Sequence, residues 1–203
     1  MLQLDHIAIA GGSLAEATAH VEASLGISMQ QGGEHDVFHT HNSLLGLSDG
    51  LYLEAIAINP MAPRPDRPRW FDLDRFSGPP RLTNWICACD DLDATLAKLP
   101  GGFGHPVALQ RGDLKWRMAV PNSGILPFDN CAPALIEWQT GQHPAQRLVP
   151  SDMRLARLRI THPDARDLAE FLALELNDPR IVFAKGAPGL SAEFESRMGK
   201  CVL

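Results

Sequence analysis

Short apolar runs separated by glycine and proline extend along the whole chain, and their spacing predicts the order of strands and helices. The first run, LQLDHIAIAG, is short and ends at two glycines, which is typical of a strand. Ser13 then has the position of a helix N-cap, with Glu16 completing a capping box. A helix that ends at Gly26 is predicted by apolar residues at helical spacing, namely Leu14, Ala17, Val21 and Leu25.

Two further strands, HNSLLGL and LYLEAIAI, are predicted on either side of a turn at SDG. Residues 1–58 therefore form a β-α-β-β module, with space for one more strand near residues 27–30. Residues 59–81 are rich in proline and show no periodicity, which predicts a linker. The order then repeats in residues 82–143, where LTNWICAC, DLKWRMAVP and APALIEWQ predict strands and DDLDATLAKL a short helix.

A shorter copy of the pattern, residues 153–203, predicts a C-terminal βαββ extension. It has too little core to fold alone and is expected to pack on the same domain. The predicted fold class is α+β, with repeated βαβββ modules whose mostly antiparallel, curled sheets form a shared cleft.

Composition and charge narrow the function classes. Hydrophobic residues make up 45% and charged residues 21% of the 203 residues, as in ordinary globular domains. Eighteen Lys and Arg against 24 Asp and Glu give a net charge of −6 without a basic cluster, so we expect no nucleic-acid partner.

No apolar stretch approaches the ~18 residues of a membrane span, and the first residues lack a signal-peptide pattern. We therefore expect no membrane association and a cytoplasmic protein. The four cysteines lack a CxxC spacing and are expected to be buried thiols.

Several segments, taken in order, resemble a known family: GGEHDVFHTHN, SDGLYLEAIAINP, RWFDLD, GDLKWRMAVP and LIEWQTGQHPA. Together they are similar to the glyoxalase-like branch of the vicinal oxygen chelate superfamily, which includes glyoxalases, bleomycin-resistance proteins and extradiol dioxygenases. One departure is His39, where that branch usually has glycine. The resemblance implies a divalent metal in the cleft between the modules, bound by His and Glu from the first and last strand of each module.

The resemblance places three candidate metal ligands in this cleft: His6, Glu54 and Glu137. The fourth ligand position falls on Asn84, where histidine is expected. Both glutamates lie on otherwise apolar strands, where a carboxylate needs water or a cation. One imidazole with two carboxylates suits Mn²⁺, Mg²⁺, Ni²⁺ or Fe²⁺ better than Zn²⁺. In the alternative, His6 is a hydrogen-bonded cleft residue and the two glutamates are solvated or paired with arginine.

Four polar residues are candidates for substrate binding. The Thr-His-Asn triplet that matches the family carries His41 and Asn42, and Asn84 adds a cleft position. Alternation in DLKWRMAVP places Arg117 on the face opposite the apolar one, where it either enters the cleft or is an exposed strand charge. An arginine in the cleft favours a carboxylate or phosphate. The tryptophans are expected to pack in the core or between modules, with Trp70 of the linker as the exception.

Two classes of function follow. In the first, the protein is a metal-dependent lyase or isomerase of a small oxygenated, anionic substrate, whose metal polarises vicinal oxygens and stabilises an enediolate. Glu54 or Glu137 is then the catalytic base. In the second, it is a metal-free protein of the bleomycin-resistance type that binds or sequesters a small molecule, an alternative that Asn84 favours. An extradiol dioxygenase is a weaker candidate, because it needs two histidine ligands. A homodimer is a candidate assembly.

Overall fold

Twelve strands and three α-helices are formed by residues 1–203, all of which a computed structural model describes. The first module contains β1 (Gln3–Ala10), α1 (Leu14–Leu25), β2 (Gln30–His35), β3 (Thr40–Gly46) and β4 (Tyr52–Ile58). As predicted, the Ser13 hydroxyl accepts the N–H of Glu16 at the start of α1, and Gly26 ends the helix with a left-handed backbone. Each helix of the chain is too short or too polar to cross a membrane.

The linker contains one 3₁₀ segment, Trp70–Arg75, and leads into the second module. This module contains β5 (Arg81–Ala88), α2 (Leu92–Lys98), β6 (His105–Arg111), β7 (Leu114–Val120) and β8 (Ala134–Trp138). The C-terminal extension contains β9 (Arg154–His162), α3 (Ala165–Leu172), β10 (Ile181–Lys185), β11 (Gly189–Ser196) and β12 (Gly199–Val202). Strand β6 is missing from the sequence-based prediction, because HPVALQR contains a proline and buries only Leu109.

Strands β1 to β8 form one sheet in the order β2-β3-β4-β1-β5-β8-β7-β6. β1 pairs in parallel with β4, β5 pairs in parallel with β8, and β1 and β5 pair antiparallel at the centre. Counted outward from the centre of the sheet, the first module gives β1, β4, β3 and β2, and the second gives β5, β8, β7 and β6. The two modules therefore have the same strand order, as expected for a repeat. The sheet curls so far that its edge strands, β2 and β6, come into contact. The predicted α+β class with a curled sheet is confirmed.

The C-terminal extension forms a second sheet, in the order β10-β9-β11-β12, which shares one hydrophobic core with the first. Phe183 on β10 meets Trp85 on β5 edge to face, and Phe171 on α3 stacks on Phe103. Phe194 on β11 is completely buried in the same core. The extension thus completes the core of the first sheet, whereas the domain boundaries drawn from the sequence stay a prediction.

A chain that ends at Pro150 is expected to be insoluble or to lose cooperative thermal unfolding, because the apolar partners of the second sheet become exposed. Each large core side chain that becomes exposed loses about 1.5–3 kcal/mol of burial free energy. The loss from a few such side chains is as large as the free energy of unfolding of a typical domain. Circular dichroism during heating, beside the full chain, measures the change. A soluble truncated protein with an unchanged unfolding midpoint would contradict this expectation.

Candidate functional site

A histidine and a glutamate lie side by side on the two parallel strands at the centre of the first module. The register pairs His6 with Tyr52 and Ala8 with Glu54, so both side chains enter the cleft. His6 and Glu54 are each 5% exposed, and 3.7 Å separates His6 Nε2 from Glu54 Oε2. Asn42 on β3 donates its amide N–H to Glu54 Oε1 at 2.6 Å. The buried carboxylate therefore has two partners, as the burial of a charge requires.

A second carboxylate, Asp5, holds the other side of the His6 ring. Adjacent residues of a regular strand point to opposite faces, but the pairing of β1 with β5 shifts register between Leu4 and His6. Asp5 Oδ1 lies 2.5 Å from His6 Nδ1, and Asp5 Oδ2 accepts the indole N–H of Trp138 at 2.8 Å. His143 Nε2 is 2.9 Å from the same oxygen. Asp5 thus belongs to the site, although strand alternation alone assigns it to the opposite face.

The contacts among Asp5, His6 and Glu54 determine which of these side chains are charged. Burial opposes a charge on His6, but the hydrogen bond to Asp5 and the negative charges of Asp5 and Glu54 outweigh it and raise the His6 pKa to about 9. Burial also opposes the charge of Glu54, yet the positive charge of His6 and the hydrogen bond from Asn42 lower the Glu54 pKa to about 2. For Asp5, burial is outweighed by hydrogen bonds from His143 and His6, which hold its pKa far below the usual value. At neutral pH an imidazolium therefore lies between two carboxylates.

The edge strands add a neutral histidine and an arginine without an ion pair. His35, at the end of β2, is buried with its Nδ1 2.9 Å from Thr40 Oγ1. Burial, reinforced by the charge of Arg111, lowers the His35 pKa to about 4, so the ring is neutral. Arg111, at the end of β6, donates to Asn42 Oδ1 at 3.1 Å, and its Nη1 is 3.4 Å from His35 Nε2. No carboxylate lies within ion-pair distance of this half-buried guanidinium.

Two glycines of β2 make room for these groups. A Cβ at Gly32 would lie 2.0 Å from Asn42 Oδ1, and one at Gly33 would lie 2.7 Å from Arg111 Cδ. The Gly33 N–H also donates to Asn42 Oδ1 at 2.8 Å. Arg111 is absent from the candidates drawn from the sequence, although adjacent glycines inside a strand are a signal that other groups approach closely.

These polar groups line one side of a cavity of about 30 Å³. Its polar lining comes from the first module and from Arg111. Its apolar lining comes mainly from the linker and the second module and consists chiefly of Trp70, Phe71, Trp116, Met118, Ile136 and Trp138. The two halves of the repeat therefore contribute different chemistry to one site.

The linker closes the second-module half of the cleft. Trp70 stacks on Phe71 with ring centroids 5.1 Å apart. Phe71 and Asp72 have left-handed backbones, with φ of 59° and 56°, and the Asp72 N–H donates to the Gly124 carbonyl at 2.9 Å. A Cβ at Gly124 would lie only 2.0 Å from the carbonyl oxygen of Arg69, so glycine is needed for this close approach. The linker is therefore part of the site.

Glu137 and Arg117, for which metal-binding, catalytic and substrate-binding roles are expected from the sequence, are not among the residues that line the cavity. On β8 it is Ile136 that lines the cavity, and Glu137 lies on the opposite face. There Glu137 Oε2 accepts hydrogen bonds from Arg117 Nη2 at 2.6 Å and from the Leu92 N–H at the start of α2. Arg117 also pairs with Asp93 at 2.6 Å. The two residues form part of an ion-pair network outside the cavity.

Of the other expected substrate contacts, only Asn42 lines the cavity. Asn84 is completely buried, and its Oδ1 accepts the amide N–H of Asn130 at 3.4 Å. The same Asn130 amide group also lies 3.4 Å from the carbonyl oxygen of Phe71, and Asn84 is not among the residues that line the cavity. His41 lies on the face of β3 opposite Asn42, because neighbouring strand residues alternate. The structure thus gives neither Asn84 nor His41 access to a ligand in this cavity.

The donor atoms in the cleft do not fit the metal centre that the resemblance implies. Of its four ligand positions, only His6 and Glu54 face each other. No group of three or more His, Cys, Asp or Glu side chains has the arrangement of a metal site, so the expected convergence of His6, Glu54 and Glu137 is not found.

A curled sheet of two repeated modules around one cleft, with a histidine and a glutamate on its central strands, defines a protein of the vicinal oxygen chelate fold. The family model of the glyoxalase-like domain matches residues 4–175, and the chain belongs to this family. The resemblance seen in the sequence is thereby confirmed. No curated protein matches the chain.

One solved structure shares this fold. A hypothetical protein from Staphylococcus aureus matches with a TM-score of 0.64 and 14% identity, over 93% of this chain and 88% of that one. Methylmalonyl-CoA epimerase from Mycobacterium tuberculosis gives a TM-score of 0.42 with 20% identity, over 70% of this chain and 91% of that one. A variant of 4-hydroxymandelate synthase from Streptomyces coelicolor gives 0.49 with 16% identity, over 85% and 52%. The first likeness shows the fold alone, and the other two are too weak to assign a function.

Proposed function

We propose that the chain is a glyoxalase-like protein that binds a small oxygenated carboxylate in its cleft without a metal. The observation that carries this proposal is Arg111, a half-buried guanidinium that lines the cavity and has no carboxylate partner. A guanidinium binds a carboxylate through two parallel N–H groups, and the bond is stronger where water is excluded.

Asn42 separates the positive and negative groups of the cleft. Its Oδ1 accepts from Arg111, while its Nδ2 donates to Glu54. The guanidinium is therefore not neutralised by Glu54, whose own charge is balanced by His6. An anionic ligand next to Arg111 supplies the missing counter-charge. A homodimer and a cytoplasmic location stay predictions from the sequence.

Arg111→Gln is expected to weaken the binding of lactate by roughly 10- to 100-fold, because hydrogen bonds to charged groups contribute about 1.5–3 kcal/mol. Titration followed by NMR, in buffer that contains a metal chelator, measures the affinity. Arg117→Gln removes an arginine outside the cleft and is the matched control, with wild-type affinity expected. Equal losses in the two variants, or wild-type binding that the chelator abolishes, would contradict the proposal.

A second candidate is a proton-transfer enzyme, a lyase or isomerase, that acts on the bound carboxylate. The observation that favours it is Glu54, an ionised side chain that lines the cavity beside the charged His6. A carboxylate accepts a proton from a carbon next to a carbonyl group, and nearby cations stabilise the resulting enolate oxygen. Because the Glu54 pKa of about 2 makes it a weak base, stabilisation of the oxyanion has to lower most of the barrier.

A further inference from the structure

We propose that Trp70 and Phe71 set the size of the ligand, because they form the wall at which the cavity ends. This inference rests on the proposed function, since it concerns the same cavity. The two rings lie between the cavity of about 30 Å³ and a second void of about 10 Å³, and both voids are lined by this pair and by Met118. A carboxylate group is small enough for the larger void, whereas a longer chain meets the rings. Shortening either ring joins the two voids and lengthens the space.

The wall is held in place from both sides. Trp70 is only 4% exposed, and its ring stacks on Phe38 of the first module at 4.4 Å. The carbonyl of Phe71 accepts from Asn130 of the second module at 3.4 Å, and Gly124 lets the linker backbone approach that module closely. The position of the two rings is therefore fixed by the fold, and so is the length limit that they impose on a ligand.

The ligand class follows from the guanidinium and the wall together. Arg111 lines the same cavity and favours a carboxylate, while the two rings limit the length of the chain attached to it. Short 2-hydroxy acids, whose carboxylate and hydroxyl oxygens accept hydrogen bonds, represent this class.

Affinities for a series of 2-hydroxy acids test the wall, with glycolate, lactate, 2-hydroxybutyrate and 2-hydroxyhexanoate as probes. In the wild-type chain, affinity is expected to fall by roughly tenfold or more between lactate and 2-hydroxyhexanoate. In Phe71→Ala and Trp70→Ala, the fall is expected to shrink to roughly threefold or less. Leu73→Ala is the matched control, since Leu73 is equally buried in the same 3₁₀ segment but does not line the cavity. This variant is expected to keep the wild-type ratio of the affinity for lactate to the affinity for 2-hydroxyhexanoate.

Thermal unfolding of each variant shows whether it is folded. If an alanine variant is unfolded, the milder Phe71→Leu variant is used in its place. A wild-type affinity ratio in every folded variant of Trp70 and Phe71 would overturn the size proposal. The proposed function is tested separately by Arg111→Gln. No binding of either glycolate or lactate to the wild-type chain would overturn the two proposals together. A smaller affinity ratio in Leu73→Ala as well would show that the loss of size selectivity comes from a general loss of packing. That result would also overturn the proposal that Trp70 and Phe71 set the ligand size.

Discussion

The Glu54→Gln variant is expected to exchange the methyl protons of pyruvate with deuterated water roughly 100- to 10,000-fold more slowly than the wild-type protein. Glutamine has the size of glutamate and retains an oxygen that accepts the N–H of Asn42, but it does not take up a proton at neutral pH. The variant therefore removes the base and leaves the packing of β4. Loss of signal in proton NMR, in buffer with a chelator, measures the exchange rate.

Glu137→Gln is the matched control, because it makes the same chemical change on the strand of the other module that corresponds to β4. Glu137 lies outside the cavity and pairs with Arg117, so wild-type exchange is expected. A wild-type protein that exchanges pyruvate no faster than buffer would exclude the enzyme candidate and leave the binding proposal. Equal slowing in both variants would show that the effect comes from lost stability.

The free energy of unfolding is expected to be greatest near pH 6.5 and to fall on both sides. Folding raises the His6 pKa from 6.5 to about 9, so stability is lost as the pH rises through this range. Folding lowers the His35 pKa from 6.5 to about 4, so stability is lost as the pH falls through that range. Glu54, whose pKa falls from 4.5 to about 2, adds a loss below pH 4.5. Each histidine shift corresponds to about 3 kcal/mol.

Urea unfolding at a series of pH values measures this profile. His6→Gln is expected to flatten the alkaline side and to lower stability below about pH 9, because Asp5 and Glu54 lose the cation that they share in this range. His35→Gln is expected to flatten only the acidic side, since that ring is neutral in the folded protein. A wild-type stability that stays constant above pH 6.5 would contradict the charged state assigned to His6.

Strands β1, β3 and β4 and helix α1 of the first module could be predicted because their signals are local, whereas β2 lies at residues 30–35 and not near residues 27–30 as expected. The cap at Ser13 and the glycine at Gly26 define α1 within a few residues, and the turn SDG separates β3 from β4. Strand β6 could not be predicted in this way. Its pairing with β7 supplies the order that its own sequence, with a proline and little alternation, does not specify.

The candidate site could be predicted only in part. Alternation and the family resemblance point to His6 and Glu54 as cleft residues, and both line the cavity. Alternation also separates Glu137 from Ile136, but it does not say which of the two faces meets the cleft, because that depends on how the whole sheet curls. Arg111 is even less accessible to sequence reasoning. It reaches the site only because the curl brings β6, the last strand of the sheet, next to β2, the first.

The aromatic lining of the cavity gives the chain an optical property. Three of its four tryptophans, Trp70, Trp116 and Trp138, line the cavity, whereas Trp85 is buried in the core with its N–H bonded to the Cys131 carbonyl. Indole emission shifts in wavelength and intensity with the polarity and charge around the ring. An anion that enters the cavity changes these surroundings for three emitters at once, while Trp85 contributes a constant background. The ultraviolet fluorescence of the unlabelled protein is therefore a direct reporter of whether the cavity is occupied.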